Sequence, residues 1–481
     1  MSRVRKKLLG GCGKVWLFWL ATLVLAGTAH SKSPALVIQR VSLFDALTGE
    51  VLPHRTVVIE GDRIRAIGTP ERPVRVPKGA RLMDGRGRYV LPGLIEAHAH
   101  LVHQLDFAHV TGDEILPLFL AAGATTVRDA GDEIVAEKLV ARYAAAHPEL
   151  CPRVFLTSPL LDREPPYHRD IGRGVKDPAE VPALVEEMIG WGVTTLKIYD
   201  GTERPVGRRL IEEGHRRGLS VIGHLGRYSP LDAVADGIDG LEHIADGSVL
   251  EAVFPRTLTV EQEKLPPAER AQLLECLREA KANLDLNSPT AQKVIAFLAA
   301  RKVTVDPTLA VFRNYLLLMD LPEVHEHPDN NLLPKRLQEY YFKRRAQAAL
   351  KWETLDQRRR RFRKLQELTG MLYRAGVPLL AGTDTPEPYC PPGFSLHQEL
   401  ELLVESGLPP AAALQAATIN NARALKQDQN LGTIAAGKLA DLVILSANPL
   451  ADIRNTRKIE RVIKAGFVAD PKTLLRSVPM E

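Results

Sequence analysis

Cysteine is scarce in this chain, four in 481 residues, and so thin a set excludes a disulfide-stapled scaffold. An excess of charge is missing as well. Of 63 basic and 58 acidic residues, five basic ones (Arg3, Arg5, Lys6, Lys7 and Lys14) sit at the N-terminus, and the remainder balances. A near-neutral body offers no electrostatic footing for nucleic acid, so no nucleic-acid partner is expected. Past the first thirty residues there is no apolar run long enough to span a bilayer, no short-period repeat and no low-complexity linker. What is left has the composition of an ordinary globular protein, 45% apolar and 25% charged. It is long enough for one large domain and a smaller one.

The N-terminus reads differently. Its basic start carries no acidic residue, an apolar run follows over 15–26, and Gly27-Thr28-Ala29 offers small residues for cleavage. This is the layout of a secretory signal peptide, residues 1–29, so export to the periplasm or beyond is expected. An uncleaved anchor is the alternative. Cys12 precedes the apolar run, where it is poorly placed for lipid attachment. Cleavage would leave Cys151, Cys276 and Cys390, an odd set that fixes no pairing. The one basic run in the body, Arg358-Arg359-Arg360-Arg361-Phe362-Arg363-Lys364, falls in a charge-rich helical segment and is expected to be a solvated helical face.

From Ala35 to Arg88 the chain reads as short strands and turns. Ala35-Leu36-Val37-Ile38 and Thr56-Val57-Val58-Ile59-Glu60 are apolar and β-branched, Gly61-Asp62 makes a turn, and Arg63-Ile64-Arg65-Ala66-Ile67 alternates. From Val90 short apolar segments alternate with helical stretches, the pattern of βα units around a parallel sheet. Eight such segments can be counted, at 90–100, 124–129, 153–157, 194–198, 220–224, 240–243, 303–306 and 377–384. Insertions rich in helix formers follow the sixth and seventh. The second, about 314–373, carries Trp352 and is placed to form a lid. After an alanine-rich helix from Pro409, Leu442-Val443-Ile444-Leu445 and the segment from Ile459 return to strand texture and would pair with the N-terminal strands. The expected fold is therefore α/β: a (β/α)8 TIM barrel over 90–428, with a small β-sandwich domain built from 30–89 and 429–481.

The ionisable residues gather at these strands. The first ends in His98-Ala99-His100, and side chains two apart on a strand face the same way. Two imidazoles converging on one point suit a metal such as zinc. Lys197 lies in the fourth strand, His224 ends the fifth, His243 the sixth and Asp384 the eighth. In a barrel of this type, carboxyl ends of different strands meet at one mouth. Lysine is the informative member. An ammonium between Leu196 and Ile198 is costly to bury and would be repelled by cations. Carbon dioxide could convert it to the N6-carboxylated form, a carboxylate able to bridge two divalent metal ions. Such a pair would activate a bridging hydroxide and polarise a carbonyl or phosphoryl oxygen. Asp384 would then be metal ligand and proton shuttle.

These residues also resemble a known family. Pro92-Gly93-Leu94-Ile95-Glu96-Ala97-His98-Ala99-His100, Leu196-Lys197-Ile198-Tyr199, Gly223-His224, Leu241-Glu242-His243 and Ala381-Gly382-Thr383-Asp384 are similar to the motifs of the metal-dependent amidohydrolase superfamily. Ala416-Ala417-Thr418-Ile419-Asn420-Asn421 and Gly437-Lys438-Leu439-Ala440-Asp441 match its tail. The branch is the imidazolonepropionase-like and Xaa-Pro dipeptidase-like one. The resemblance implies that His98, His100 and Asp384 hold one zinc ion and His224 and His243 another, with carboxylated Lys197 between. Imidazolonepropionases work with one metal and lack that lysine, so the binuclear, peptidase-like relatives fit better.

Tyr199 is a candidate donor to substrate. His103 and His397 are expected to have structural or no roles, and Arg163, Arg169 and Arg227 are loop candidates for a substrate carboxylate. The function expected is an exported hydrolase of small-molecule amide or dipeptide-like C–N bonds, with self-association into a homo-oligomer left open. Phosphoester, lactone or carbamate hydrolysis on the same metals is the alternative. A non-catalytic barrel would be marked by lost ligands, and none of the six is missing.

Overall fold

The chain passes from one architecture to another across a single glycine. In the computed structural model, which describes residues 34–245, 248–254, 264–348 and 353–481, strand β5 (Tyr89–Pro92) closes a sheet and β6 (Leu94–Ala99) opens a barrel. Gly93 between them donates its N–H to Asp441 O at 2.7 Å. A Cβ there would stand 2.1 Å from Thr125 Oγ1, so only glycine fits this crossing. The expected signal peptide and Trp352 lie outside the described residues. Among those residues no helix is long and apolar enough to cross a membrane.

The first sheet joins both ends of the chain, as expected. Its strands are β1 (Leu36–Asp45), β2 (Glu50–Glu60), β3 (Arg63–Gly68), β4 (Arg81–Asp84) and β5, with β15 (Leu442–Leu445), β16 (Ile459–Lys464) and β17 (Phe467–Ala469) from the far end. The order is β17-β16-β15-β5-β1-β2-β3, with β4 also on β1. It is one hydrogen-bonded sheet rather than two separate leaves of a sandwich. The reason is β1, ten residues long with register shifts at Val41, which takes β4 along its first half and β5 along its second. Its apolar side chains, among them Ile38, Val57, Ile59, Leu442 and Ile444, form a core of their own.

The barrel follows as β6, β7 (Ala124–Asp129), β8 (Arg153–Phe155), β9 (Thr157–Asp162), β10 (Gly172–Gly174), β11 (Thr195–Ile198), β12 (Ser220–Gly223), β13 (Gly240–Glu242) and β14 (Thr304–Asp306). The neighbours are parallel throughout, and most of these strands are buried on both faces because helices cover the outside. Two departures from the expected ring appear. The third segment breaks at Leu156, so that β8 pairs with β7 and β9 with β11, leaving ladders of three and six strands. The eighth segment, 377–384, is no strand at all. It meets its neighbours through isolated bridges, Val305 with Leu379 and Ala99 with Thr385 just past its end, and through single backbone hydrogen bonds such as Leu380 N to Val305 O and Asp384 N to His98 O, both 2.9 Å.

Side chains take several of the hydrogen bonds that a strand would have made there. Pro378 has no N–H to offer. Ala381 N donates to Asn421 Oδ1 (3.2 Å), Gly382 N to Asp306 Oδ1 (2.9 Å) and Thr383 N to Glu96 Oε1 (3.0 Å). Asn421 also donates to Ile95 O (2.7 Å) and Ala381 O (2.9 Å), which stitches the eighth segment to β6. A seam of side-chain and scattered backbone hydrogen bonds thus stands between β14 and β6 in place of a continuous ladder.

The basic run departs from expectation only in part, since Arg359 and Arg363 are exposed on a helix as expected. Helix Leu355–Arg374 carries it, but Arg358 is buried and donates to Leu317 O (2.7 Å) and Asp320. Arg360 pairs with Glu279 and Arg361 with Glu353. The run docks an insertion onto its neighbours, because long arginines reach carboxylates that sequence spacing does not reveal.

Candidate metal centre

One cavity, with about 620 Å³ of empty space, is lined by all seven residues singled out from sequence: His98, His100, Lys197, Tyr199, His224, His243 and Asp384. Each stands at or just past the carboxyl end of its segment. His100, His224 and His243 follow the last paired residue of β6, β12 and β13, so the backbone is free to turn there. His243 (φ 70°), Asp384 (φ 60°) and Thr308 (φ 46°) sit in the left-handed region, which costs a non-glycine residue about 1–2 kcal/mol. Strain of this kind persists where surrounding contacts over-determine it.

The imidazoles are aimed by their second nitrogens. His100 Nδ1 donates to Gly131 O at 3.1 Å, which leaves Nε2 facing Asp384 Oδ1 at 3.3 Å. His98 Nε2 approaches the same oxygen at 3.4 Å. His98 Nδ1 lies 2.6 Å from Glu242 Oε2, although off the line of a good hydrogen bond. Glu242 is held in turn by Arg128, whose Nη2 donates to both of its oxygens at 2.8 and 2.9 Å. His243 Nδ1 is hydrogen-bonded to Thr308 Oγ1 at 2.8 Å. Its ring is 4.8 Å from that of His98 and 4.7 Å from that of His224.

Electrostatics set the protonation states. Burial, reinforced by Lys197, pushes His98 down to about 4, and burial holds His243 well below the usual imidazole range. Both are therefore neutral, the form that binds a metal. Burial would lower His100 too, but Asp132 and Asp384 more than offset it and carry it well above that range. Asp384 is raised by burial, yet the imidazoles of His98, His100 and His243 hold it well below the ordinary carboxylate value. Burial brings Lys197 down to about 8 against the pull of Glu242.

The donor set fits a metal. Ligand atoms of His98, His243 and Asp384 all lie within 4.8 Å of one another. Lys197 Nζ is fully buried without a hydrogen-bond partner. A buried polar atom is seldom left so unless something else fills the place.

Other predictions fared unevenly. His103, expected to have no role, lines the cavity, with Nδ1 3.2 Å from Asp170 Oδ2. His397 is structural as expected, buried against Thr456 Oγ1 at 3.0 Å. Arg163, Arg169 and Arg227 do not line the cavity, and Arg227 pairs with Glu203 at 3.0 Å. His168, Phe312, Leu316 and Glu387 line it and were not foreseen. Glu387, three residues past Asp384 in one loop, was the most discoverable of them. The inserted segment after β14 reaches the cavity through Phe312 and Leu316, in keeping with its expected place at the mouth.

Residues 89–468 match the model of the amidohydrolase family. An imidazolonepropionase of Alkaliphilus metalliredigens is 21% identical over 439 residues, 85% of this chain and 89% of that one. Among solved structures, a bottromycin amidohydrolase superposes with a TM-score of 0.71 at 24% identity, over 93% of this chain and 89% of that one. An Xaa-Pro dipeptidase with methionine bound in its active site gives 0.63 at 19%, over 91% and 100%. Adenine deaminases are matched over short stretches. The chain spans 17% of the length of the Rubrobacter xylanophilus enzyme, at 34% identity over 103 residues or 21% of this chain.

Proposed function

The chain belongs to the amidohydrolase family, and on that premise we propose that it is a metal-dependent hydrolase of C–N bonds in amide or dipeptide-like substrates. The carrying observation is Lys197 Nζ, buried and unpartnered in a cavity walled by six imidazoles and Asp384. His98, His100 and Asp384 would hold one divalent ion and His224 and His243 a second, with Lys197 between them. Zinc suits imidazole and carboxylate donors. Bound there, the ions would supply Lewis-acid charge that acidifies water and polarises the scissile carbonyl.

The chain's own residues do the rest. Burial lowers the Lys197 amine to about 8, which enlarges its neutral, nucleophilic fraction. Its nitrogen adds carbon dioxide, loses a proton and becomes the carboxylate that two cations require. Asp384, held well below the ordinary carboxylate value, accepts a proton on its carboxylate from the attacking water and passes it to the departing nitrogen. Tyr199 lines the same cavity with its ring 4.9 Å from His224, and burial raises its phenol so that it remains a hydrogen-bond donor. It would donate to the carbonyl oxygen as negative charge develops. The basic and apolar start of the chain supports export. Metal analysis with a screen of dipeptides and N-acyl amino acids, the protein zinc-loaded in bicarbonate, tests the reading. Lys197→Ala should lower both metal content and turnover, and full retention of both sinks the bridging role.

A further inference from the structure

Beside the metal cavity lies a second opening, with about 590 Å³ of empty space, and the two share Phe312 and Leu316 as a wall. Both residues belong to the π-helix Phe312–Leu317, whose wide turn sets them side by side on the partition. The two spaces differ in charge. The metal cavity carries carboxylates from Asp384 and Glu387, whereas the annex is lined by Lys281, Arg361 and Lys364 and, among the described residues, by no carboxylate.

Two of those cations are already matched. Arg361 donates to both oxygens of Glu353 at 2.6 and 2.8 Å, and Lys364 to Glu367 at 2.8 Å. Lys281 is different. It is only 5% exposed, near the end of helix Pro267–Ala282, and among the described residues no carboxylate or carbonyl pairs with its ammonium. An ammonium with no counter-ion among the described residues, at the tip of an otherwise buried side chain, would attract an anion arriving beside it. Leu250, Leu317 and Leu365 line the rest of the annex, a surface fit for methylene groups rather than for a hydrated inorganic ion.

We propose that this annex is the subsite for an anionic group on the substrate, a carboxylate or its equivalent borne on a short aliphatic arm away from the scissile bond. The enzyme would then favour acidic amides over their neutral isosteres. Phe312 and Leu316 form the threshold the arm crosses, and Lys281 is the specificity-determining charge. The inference rests on the C–N hydrolase reading above, but its binding half can be measured without turnover.

The test uses full-length, zinc-loaded protein and dipeptides paired as Glu against Gln and Asp against Asn at each position. For at least one pair the acidic member should be preferred in kcat/KM by about tenfold or more, the scale of a charge-assisted contact. Lys281→Met should bring that ratio close to one, and Lys281→Arg should keep most of it. The proposal is overturned if neutral members turn over with no acidic preference, or if the preference survives Lys281→Met. If no peptide is cleaved, the C–N reading fails on its own and the annex is judged by calorimetric titration with glutarate. Binding to the wild type that weakens about tenfold in Lys281→Met and is retained in Lys281→Arg supports the subsite. Absent binding, or equal affinity in the methionine variant, refutes it.

Discussion

Replacing Asn421 with alanine should loosen the barrel where it closes. Asn421 is fully buried and makes three hydrogen bonds: to Ile95 O at 2.7 Å, to Ala381 O at 2.9 Å and from Ala381 N at 3.2 Å. Ala381 O keeps a second donor in Ala97 N at 3.2 Å, so the groups chiefly orphaned are Ile95 O and Ala381 N. A buried backbone group left unpaired costs about 1–3 kcal/mol, so two predict a loss of about 3 kcal/mol. Unfolding entropy of about 2.1 cal/mol/K per residue converts this, for a cooperative unit of this size, to a fall of about 3 °C in Tm. Scanning calorimetry on both proteins measures it. Asn420→Ala is the control, since that side chain is half-buried and donates only to Leu379 O at 3.0 Å. The seam also fixes His98 against Asp384, through Asp384 N donating to His98 O at 2.9 Å. Turnover should therefore fall together with Tm in the Asn421 variant. An Asn421→Ala protein that melts with the wild type, or a control that loses as much, would refute the seam as the closing device.

Three further changes probe other parts of the structure. Burial depresses His397 to about 3, so its contribution to stability is complete above pH 6.5 and is lost as pH falls from there towards 3; the Tm advantage of wild type over His397→Gln should shrink across that window, and a pH-independent difference would count against it. Thr308→Val removes the partner that aims His243, and zinc affinity measured against a competing chelator should fall about 10–100-fold; an unaltered affinity rules out the aiming role. Gly382→Ala would set a Cβ 2.2 Å from Asp306 Oδ2 and 2.6 Å from His98 Cβ, so soluble yield or turnover should collapse, and a fully active variant would show that the segment can move aside.

Much of the site was legible because its chemistry is local. A histidine pair at alternate positions, a lysine between Leu196 and Ile198, and an aspartate after Gly382-Thr383 each mark the end of an apolar segment, and all of them line one cavity. The terminal strands were legible for the same reason, and Leu442–Leu445 falls where its β-branched run predicts. What was missed is set by partners far away in the chain. The eighth segment reads as a strand, but Asn421, Asp306 and Glu96 take the N–H groups of Ala381, Gly382 and Thr383, and only folding brings them there. Arg128 reads as an ordinary strand residue until Glu242, 114 positions on, closes over it.

The sequence alone determined which residues can carry chemistry and which segments are apolar enough to be buried, since both follow from side-chain type and short-range periodicity. Tertiary structure decided the rest. It broke the third strand at Leu156, made one sheet where two leaves were expected, and turned part of an arginine run inward onto Asp320 and Glu279. It also left the Lys281 side chain largely buried beside the partition of the metal cavity, with no carboxylate paired to it among the described residues. These outcomes depend on which distant groups satisfy one another's charge and hydrogen bonds, a matter of three-dimensional proximity that local pattern does not encode.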